Sequence, residues 1–185
     1  MNELLTQSVR SPVIPRVVLA VFNNFFTAEL TTLGKNGSPV TWPVLPVYWP
    51  ERLQFFIFSP AGLSQKIVNI RRDPRVSMLF SEPVGSDLER PATVLVQGLA
   101  ESPDRLSTPL GGLEPDLLAV VQAQTRKLMR RQPAMKLFML NPLSRFVMDW
   151  YFMRLMITVN PYKILWWAAG DFSRTPQVVE VEHVV

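Results

Sequence analysis

The spacing of apolar and polar residues changes several times along the chain, and each change marks an element. Residues 13–26 are apolar on most faces, with Pro12 and Pro15 near the front. Proline is tolerated in a first helical turn, so this stretch predicts a short buried helix. Residues 27–33 turn β-branched and predict a strand. Gly34-Lys35-Asn36-Gly37 follows, and Asn-Gly between two strand-like runs is a strong hairpin signal. Residues 38–48 read as the second strand. Pro39, Pro43 and Pro46 lack N–H donors and confine it to an edge or to bulged positions. After a turn at 49–52, residues 53–59 form a third strand rich in Phe and Ile, and 60–62 a loop. Residues 64–73 predict a short helix with Ser64 as N-cap and Asp73-Pro74 as its end. Strands at 75–80 and 92–101 flank a polar loop at 82–91, with Gly98 expected to make a bulge.

The second half differs. Residues 114–132 carry Leu117, Val121 and Leu128 at helical spacing, with Pro115 in the first turn and Pro133 as the stop. Residues 138–151 are compatible with helix or strand. Residues 151–160 and 162–169 predict two strands hinged at Asn160-Pro161. No internal repeat interrupts the series. The expected fold is mainly β with peripheral helices: a small antiparallel barrel of six to seven strands. It is read as one domain over residues 1–185, with a helical insertion at about 113–140 and an extended tail at 172–185.

Composition narrows the chemistry. A chain of 185 residues, 48% hydrophobic and 18% charged, fits one globular domain and excludes wholesale disorder. The 17 prolines are roughly twice the usual share of about 5% and are scattered, which suits strand ends and turns. There is no cysteine, so disulfides, thiolate metal sites and cysteine nucleophiles are excluded together. His183 is the only histidine, which rules out a histidine triad or multi-histidine metal site within one chain. No metal site is expected, no catalytic residue stands out, and any chemistry should come from a bound group. The net charge of +4 and pI near 9.8 favour an anionic ligand.

No run reaches the roughly 20 apolar residues that span a bilayer. The N-terminus does not read as a signal peptide, so a cytoplasmic protein without membrane contact is expected. Arg126, Lys127, Arg130, Arg131 and Lys136 cluster on the predicted long helix and read as a solvated face. No aromatic platform accompanies them, so nucleic-acid binding is not expected. The Met-, Phe- and Leu-rich segment 135–156 reads as core or dimer packing before lid or membrane surface.

Several pieces, in this order and spacing, resemble the split-barrel flavoproteins of the pyridoxamine-phosphate-oxidase-like family. They are Ser64-Gln65-Lys66, Asn69, Arg72-Asp73-Pro74-Arg75-Val76-Ser77, Val96-Gln97-Gly98-Leu99-Ala100-Glu101, and the closing stretch 157–167 with Pro161. The resemblance covers residues 14–105 and, more loosely, 150–170. A helix start with unpaired N–H groups, a serine hydroxyl and a lysine ammonium make a phosphate seat. Taken locally, the same residues also read as an ordinary N-cap and a solvated lysine.

The resemblance implies FMN at a homodimer interface. Its ring would lie beside Val40, Thr41, Trp42, Pro43 and Val44, with Thr41 the polar contributor. Its phosphate would lie near Phe58, Ser59, Ser64 and Lys66. Thr93 takes the fifth-strand position, and Trp166 approaches the partner's flavin. The implied activity is an FMN-dependent oxidoreductase acting on a small organic molecule. The alternatives are a deazaflavin-dependent reductase, whose longer anionic tail would suit Lys66 and the 71–75 region, and a non-enzymatic flavin- or haem-binding dimer. The chain departs from the family at 40–47, where no cation stands, and lacks its C-terminal arginine signature, so vitamin oxidation is not expected.

Overall fold

The computed structural model describes residues 14–60, 65–83, 86–104, 106–107, 114–131 and 154–181. The proline-rich stretch that reads as one strand is two: β2 (Pro39–Val44) and β3 (Pro46–Trp49). With β1 (Ala28–Leu33), β4 (Gln54–Pro60), β5 (Arg75–Phe80), β6 (Thr93–Glu101) and β8 (Arg154–Trp167), they form one antiparallel sheet in the order β2-β1-β5-β6-β8-β4-β3. The two halves therefore occupy opposite edges of the path, and the chain changes edge at Leu45. This is where proline is tolerated, because an edge strand has one side without ladder partners. The seven-strand path agrees with the expected mainly β split barrel. Two short strands add to it, β7 (Leu106–Ser107) and β9 (Gln177–Glu180), both paired with β8. Part of the stretch expected as an extended tail is thus a sheet strand, with Gln177–Glu180 opposite Trp166 to Lys163.

The hinge expected at Asn160-Pro161 is absent, and β8 runs through it unbroken. Gly98 faces Pro161 while Gln97 faces Lys163, so the extra residue is Tyr162 on β8 and not a residue of the Gly98 strand. This bulge absorbs the missing proline N–H without ending the strand. Glycine is required at 98, since a Cβ there would lie 2.6 Å from the Asn160 carbonyl oxygen.

Helix α1 (Arg16–Asn24) packs Val18, Val21 and Phe22 into the barrel. The Phe22 ring centroid lies 5.0 Å from Tyr48, 4.8 Å from Phe55 and 5.2 Å from Phe80. Helix α2 (Gln65–Arg72) follows β4, and α3 (Pro115–Arg131) lies outside the sheet. Leu117 of α3 joins a second cluster with Val47, Trp49 and Phe56. Gln124 Nε2 donates to the Pro46 carbonyl (3.1 Å) and Lys127 Nζ to that of Asn23 (3.1 Å), so Lys127 of the expected solvated basic face is a docking contact. The 138–151 segment, Lys136 and most of the Met-rich stretch lie outside the described residues. No described helix is long and apolar enough to cross a membrane.

Burial, with a smaller contribution from the charge of Glu51, pushes the Tyr48 hydroxyl up to about 12. The folded state holds the proton more tightly than an unfolded tyrosine near 10. That stability is complete below pH 10 and should be lost as pH rises from about 10 through about 12. Denaturant unfolding across this window should show the decline, and Tyr48→Phe should remove the tyrosine's share of it.

Candidate functional site

Where β2 ends, β4 passes and α2 begins, the surface opens into a pocket of about 340 Å³ lined by Thr27, Pro43, Val44, Leu45, Ile57, Phe58, Ser59 and Lys66. Its chemistry comes from α2. Residues 66, 67, 69 and 70 form the buried face of that helix, so a lysine sits where an apolar residue would be usual. Only 7% of Lys66 is exposed. Its Nζ donates to Ser59 Oγ (3.0 Å) and lies 5.4 Å from the centre of the Trp42 ring. Burial pushes the ammonium below its ordinary pKa, because a charged amine loses hydration. Trp42 Nε1 is itself buried with no acceptor among the described residues.

A second polar chain fixes α2 against the opposite strands. Asn69, also buried, donates from Nδ2 to Thr32 Oγ1 (3.0 Å), and Thr32 donates to the Val40 carbonyl (3.4 Å). Asn69 Oδ1 accepts from Gln65 Nε2 (3.1 Å) and Arg72 Nη2 (3.4 Å), and Arg72 also donates to the Leu33 carbonyl. One face of α2 thereby holds β4 through Lys66 and the β1–β2 hairpin through Asn69. The remaining basic residues near this helix are engaged internally. Arg71 donates to the carbonyls of Ser102 and Pro103 and to Asp104, and Arg75 pairs with Asp73 at 2.7 Å.

The open edge of β2 has its own pattern. The Val40 carbonyl turns toward β1, where Thr32 donates to it. Backbone directions alternate along a strand, so the groups of residues 39, 41 and 43 point away from β1. Prolines at 39 and 43 cost no ladder bond there, and Thr41 supplies the N–H between them. The Thr41 side chain is exposed and shares a hydrogen bond with Thr31 Oγ1 (2.9 Å). From it a row of polar residues crosses six strands in register: Thr41, Thr31, Ser77, Gln97, Lys163 and Glu180. The neighbouring row on the same face holds Leu79, Leu95, Leu165 and Val178.

Of the residues expected at a cofactor site, Pro43, Val44, Phe58, Ser59 and Lys66 meet around the pocket, with Trp42 against Lys66. Val40 and Thr41 lie further along β2, Thr41 on the outward face. Thr93 and Trp166 are buried and do not line this pocket. Thr93 pairs with Trp167, and Trp166 pairs with Val94 and Gln177 inside the main core. Ser64 lies outside the described residues. Thr27, Leu45 and Ile57 line the pocket without having been expected, since nothing in their chemistry separates them from other strand and loop residues.

No family model and no curated protein matches the chain. Solved structures do. A conserved hypothetical protein, Rv2991, from Mycobacterium tuberculosis aligns with a TM-score of 0.54 at 22% identity, over 90% of this chain and 92% of that one. A Clostridium acetobutylicum protein related to general stress protein 26, of the pyridoxinephosphate oxidase family, aligns at 0.50 and 8% identity over 89% of each chain. A heme binding protein from Mycobacterium smegmatis aligns at 0.52 and 16% identity, over 91% of this chain and 59% of that one. The fold is therefore the split barrel of pyridoxamine 5′-phosphate oxidase-like proteins.

Proposed function

We propose that this protein binds FMN in the Lys66 pocket, between two copies of the chain, and uses it to oxidise or reduce a small organic molecule. The observation that carries the reading is the Lys66–Ser59 pair: a buried ammonium and a hydroxyl in a cleft otherwise lined by apolar residues and Thr27. A phosphate oxygen would accept from both. That pair of donors fits an anion. Beyond the pocket, the β2 edge suits a ring. The Thr41 N–H and carbonyl at the open β2 edge offer one donor and one acceptor, matching the alternating groups on the rim of an isoalloxazine. Prolines 39 and 43 keep that edge from pairing with another strand.

Bound FMN supplies the redox chemistry. The chain's own residues bind and orient it: Lys66 and Ser59 the phosphate, β2 the ring, and Pro43, Leu45 and Phe58 an apolar wall that excludes water. The Asn69–Thr32 chain holds the helix carrying Lys66 in register with β2. The outward apolar row of Leu79, Leu95, Leu165 and Val178 supports pairing of two copies across that face.

The longer anionic tail of a deazaflavin would need the cations at 71–75, and Arg71, Arg72 and Arg75 are already held by internal partners. That favours FMN. Haem binding is a second reading, motivated by the heme binding protein among the structural neighbours. The absorption spectrum of the purified protein, followed by denaturation and identification of the released chromophore, tests both. Released FMN, or saturable uptake of added FMN by a colourless preparation, is the expected result. A Soret band with haem released would transfer the assignment to haem, and failure to take up FMN would end the flavin reading.

A further inference from the structure

Lysine is normally a surface residue, and an amine walled by apolar side chains acquires a different reactivity. Pro43, Val44, Leu45, Ile57 and Phe58 surround the Lys66 pocket, and Lys66 is the only ionisable group among its described lining residues. In water a lysine with pKa near 10.4 is almost entirely protonated at neutral pH. Only the neutral amine is a nucleophile, and desolvation in an apolar pocket is a known means of raising its share. Burial acts in that direction here. The Trp42 ring, 5.4 Å from Nζ, opposes it by favouring the cation.

We propose that Lys66 is a carbonyl-reactive amine, and that in the flavin-free protein its pocket accepts small apolar aldehydes as imines on Nζ. The Nζ lone pair attacks the carbonyl carbon, a C–N bond forms, and the carbonyl oxygen takes up a proton to give a carbinolamine. Loss of that hydroxyl as water, with a proton leaving nitrogen, gives the imine. No oxidant or reductant is consumed. Ser59 Oγ, 3.0 Å from Nζ, lies where it can accept the proton from nitrogen and return it to the departing oxygen. The apolar walls favour an aldehyde with a hydrocarbon or aryl body over a charged one. The reactivity shares its pocket with the proposed flavin and does not require the flavin.

The chain has five lysines, at 35, 66, 127, 136 and 163, which provide an internal comparison. Flavin-free full-length protein would be treated at pH 7 with benzaldehyde and cyanoborohydride, which traps an imine as a stable benzylamine, and mapped by peptide mass spectrometry. Lys66 should be labelled measurably faster than exposed Lys35, the direction in which burial of the amine acts. The preference should vanish in denaturant, and Ser59→Ala should slow labelling of Lys66 alone. Labelling of Lys66 no faster than Lys35 would overturn the proposal. Added FMN separates this inference from the flavin reading. Suppressed labelling supports both, and undiminished labelling keeps the reactive lysine while removing FMN from the pocket. Lysine-dependent FMN binding with no preferential labelling does the reverse.

Discussion

Phe22→Ala should destabilise the protein by about 3–5 kcal/mol, the usual cost of emptying a buried phenylalanine site. The ring is 2% exposed and makes contacts with Tyr48, Phe55 and Phe80, the Phe55 contact edge-to-face at 90°. Those rings come from three different strands, so Phe22 joins α1 to β3, β4 and β5 at once. The barrel wall cannot collapse into the space without opening its ladders, which places the expected cost toward the upper end. For a domain of this size the loss corresponds to a fall in Tm of about 6–20 °C. Phe22→Leu fills most of the volume and forfeits mainly the ring–ring geometry, worth about 0.5–1.5 kcal/mol per pair. Thermal unfolding of both variants checks the claim. Equal melting of Phe22→Ala and the parent protein would mean that α1 does not plug the barrel.

This core is partly legible in the sequence. The apolar run at the start, the Asn-Gly turn, the phenylalanine-rich strand and the Gly98 strand are local signals, and each produced its element. The run of prolines at 39, 43 and 46 points to an edge or to bulged positions, and both strands that carry them are edges. What it could not reveal is that one run supplies both edges, because strand partners are chosen by contacts far away in sequence. Nothing local tells β2 to pair with β1 while β3 pairs with β4. The same reason hid the continuity of β8: Pro161 reads as a hinge until Gly98 and Gln97 of β6 define the bulge opposite it. Strand β9 is four residues long and owes its existence to β8.

The site divides in the same way. Ser59 and Lys66 are seven residues apart, on a strand and the helix that follows it, so their meeting follows from local structure. Thr93 and Trp166 were carried by resemblance alone, and within one chain they belong to the far end of β6 and to the core. Their place at a flavin would have to come from the partner copy. Asn69 was visible as a motif residue with no assigned task. Its task, bridging α2 to Thr32 and through it to β2, depends on an approach between elements 37 residues apart, which no spacing rule anticipates.

The proposed phosphate seat depends most on one side chain, and Lys66→Met tests it with little risk to the fold. Methionine matches the length and fills the same apolar cavity, and it relieves the cost of holding an ammonium out of water. The apoprotein should therefore fold and melt near the parent temperature. FMN affinity should not survive as well. A charge-assisted hydrogen bond to phosphate contributes about 1.5–3 kcal/mol, so the Kd for FMN should rise by roughly 10- to 150-fold. Riboflavin has the same ring and no phosphate, and its Kd should stay within about twofold of the parent value. The informative quantity is the ratio of the two constants, measured by fluorescence quenching on one apoprotein preparation. A ratio falling toward unity through loss of FMN affinity alone locates the phosphate at Lys66. Equal weakening of both ligands would make Lys66 a support of the ring pocket, and unchanged FMN binding would put the phosphate elsewhere on the barrel. Lys66→Arg sharpens the test: it keeps the charge but is a planar fork where Ser59 meets a point donor, so it should recover only part of the FMN preference. Full recovery would mean that charge alone, without the Ser59 geometry, is enough.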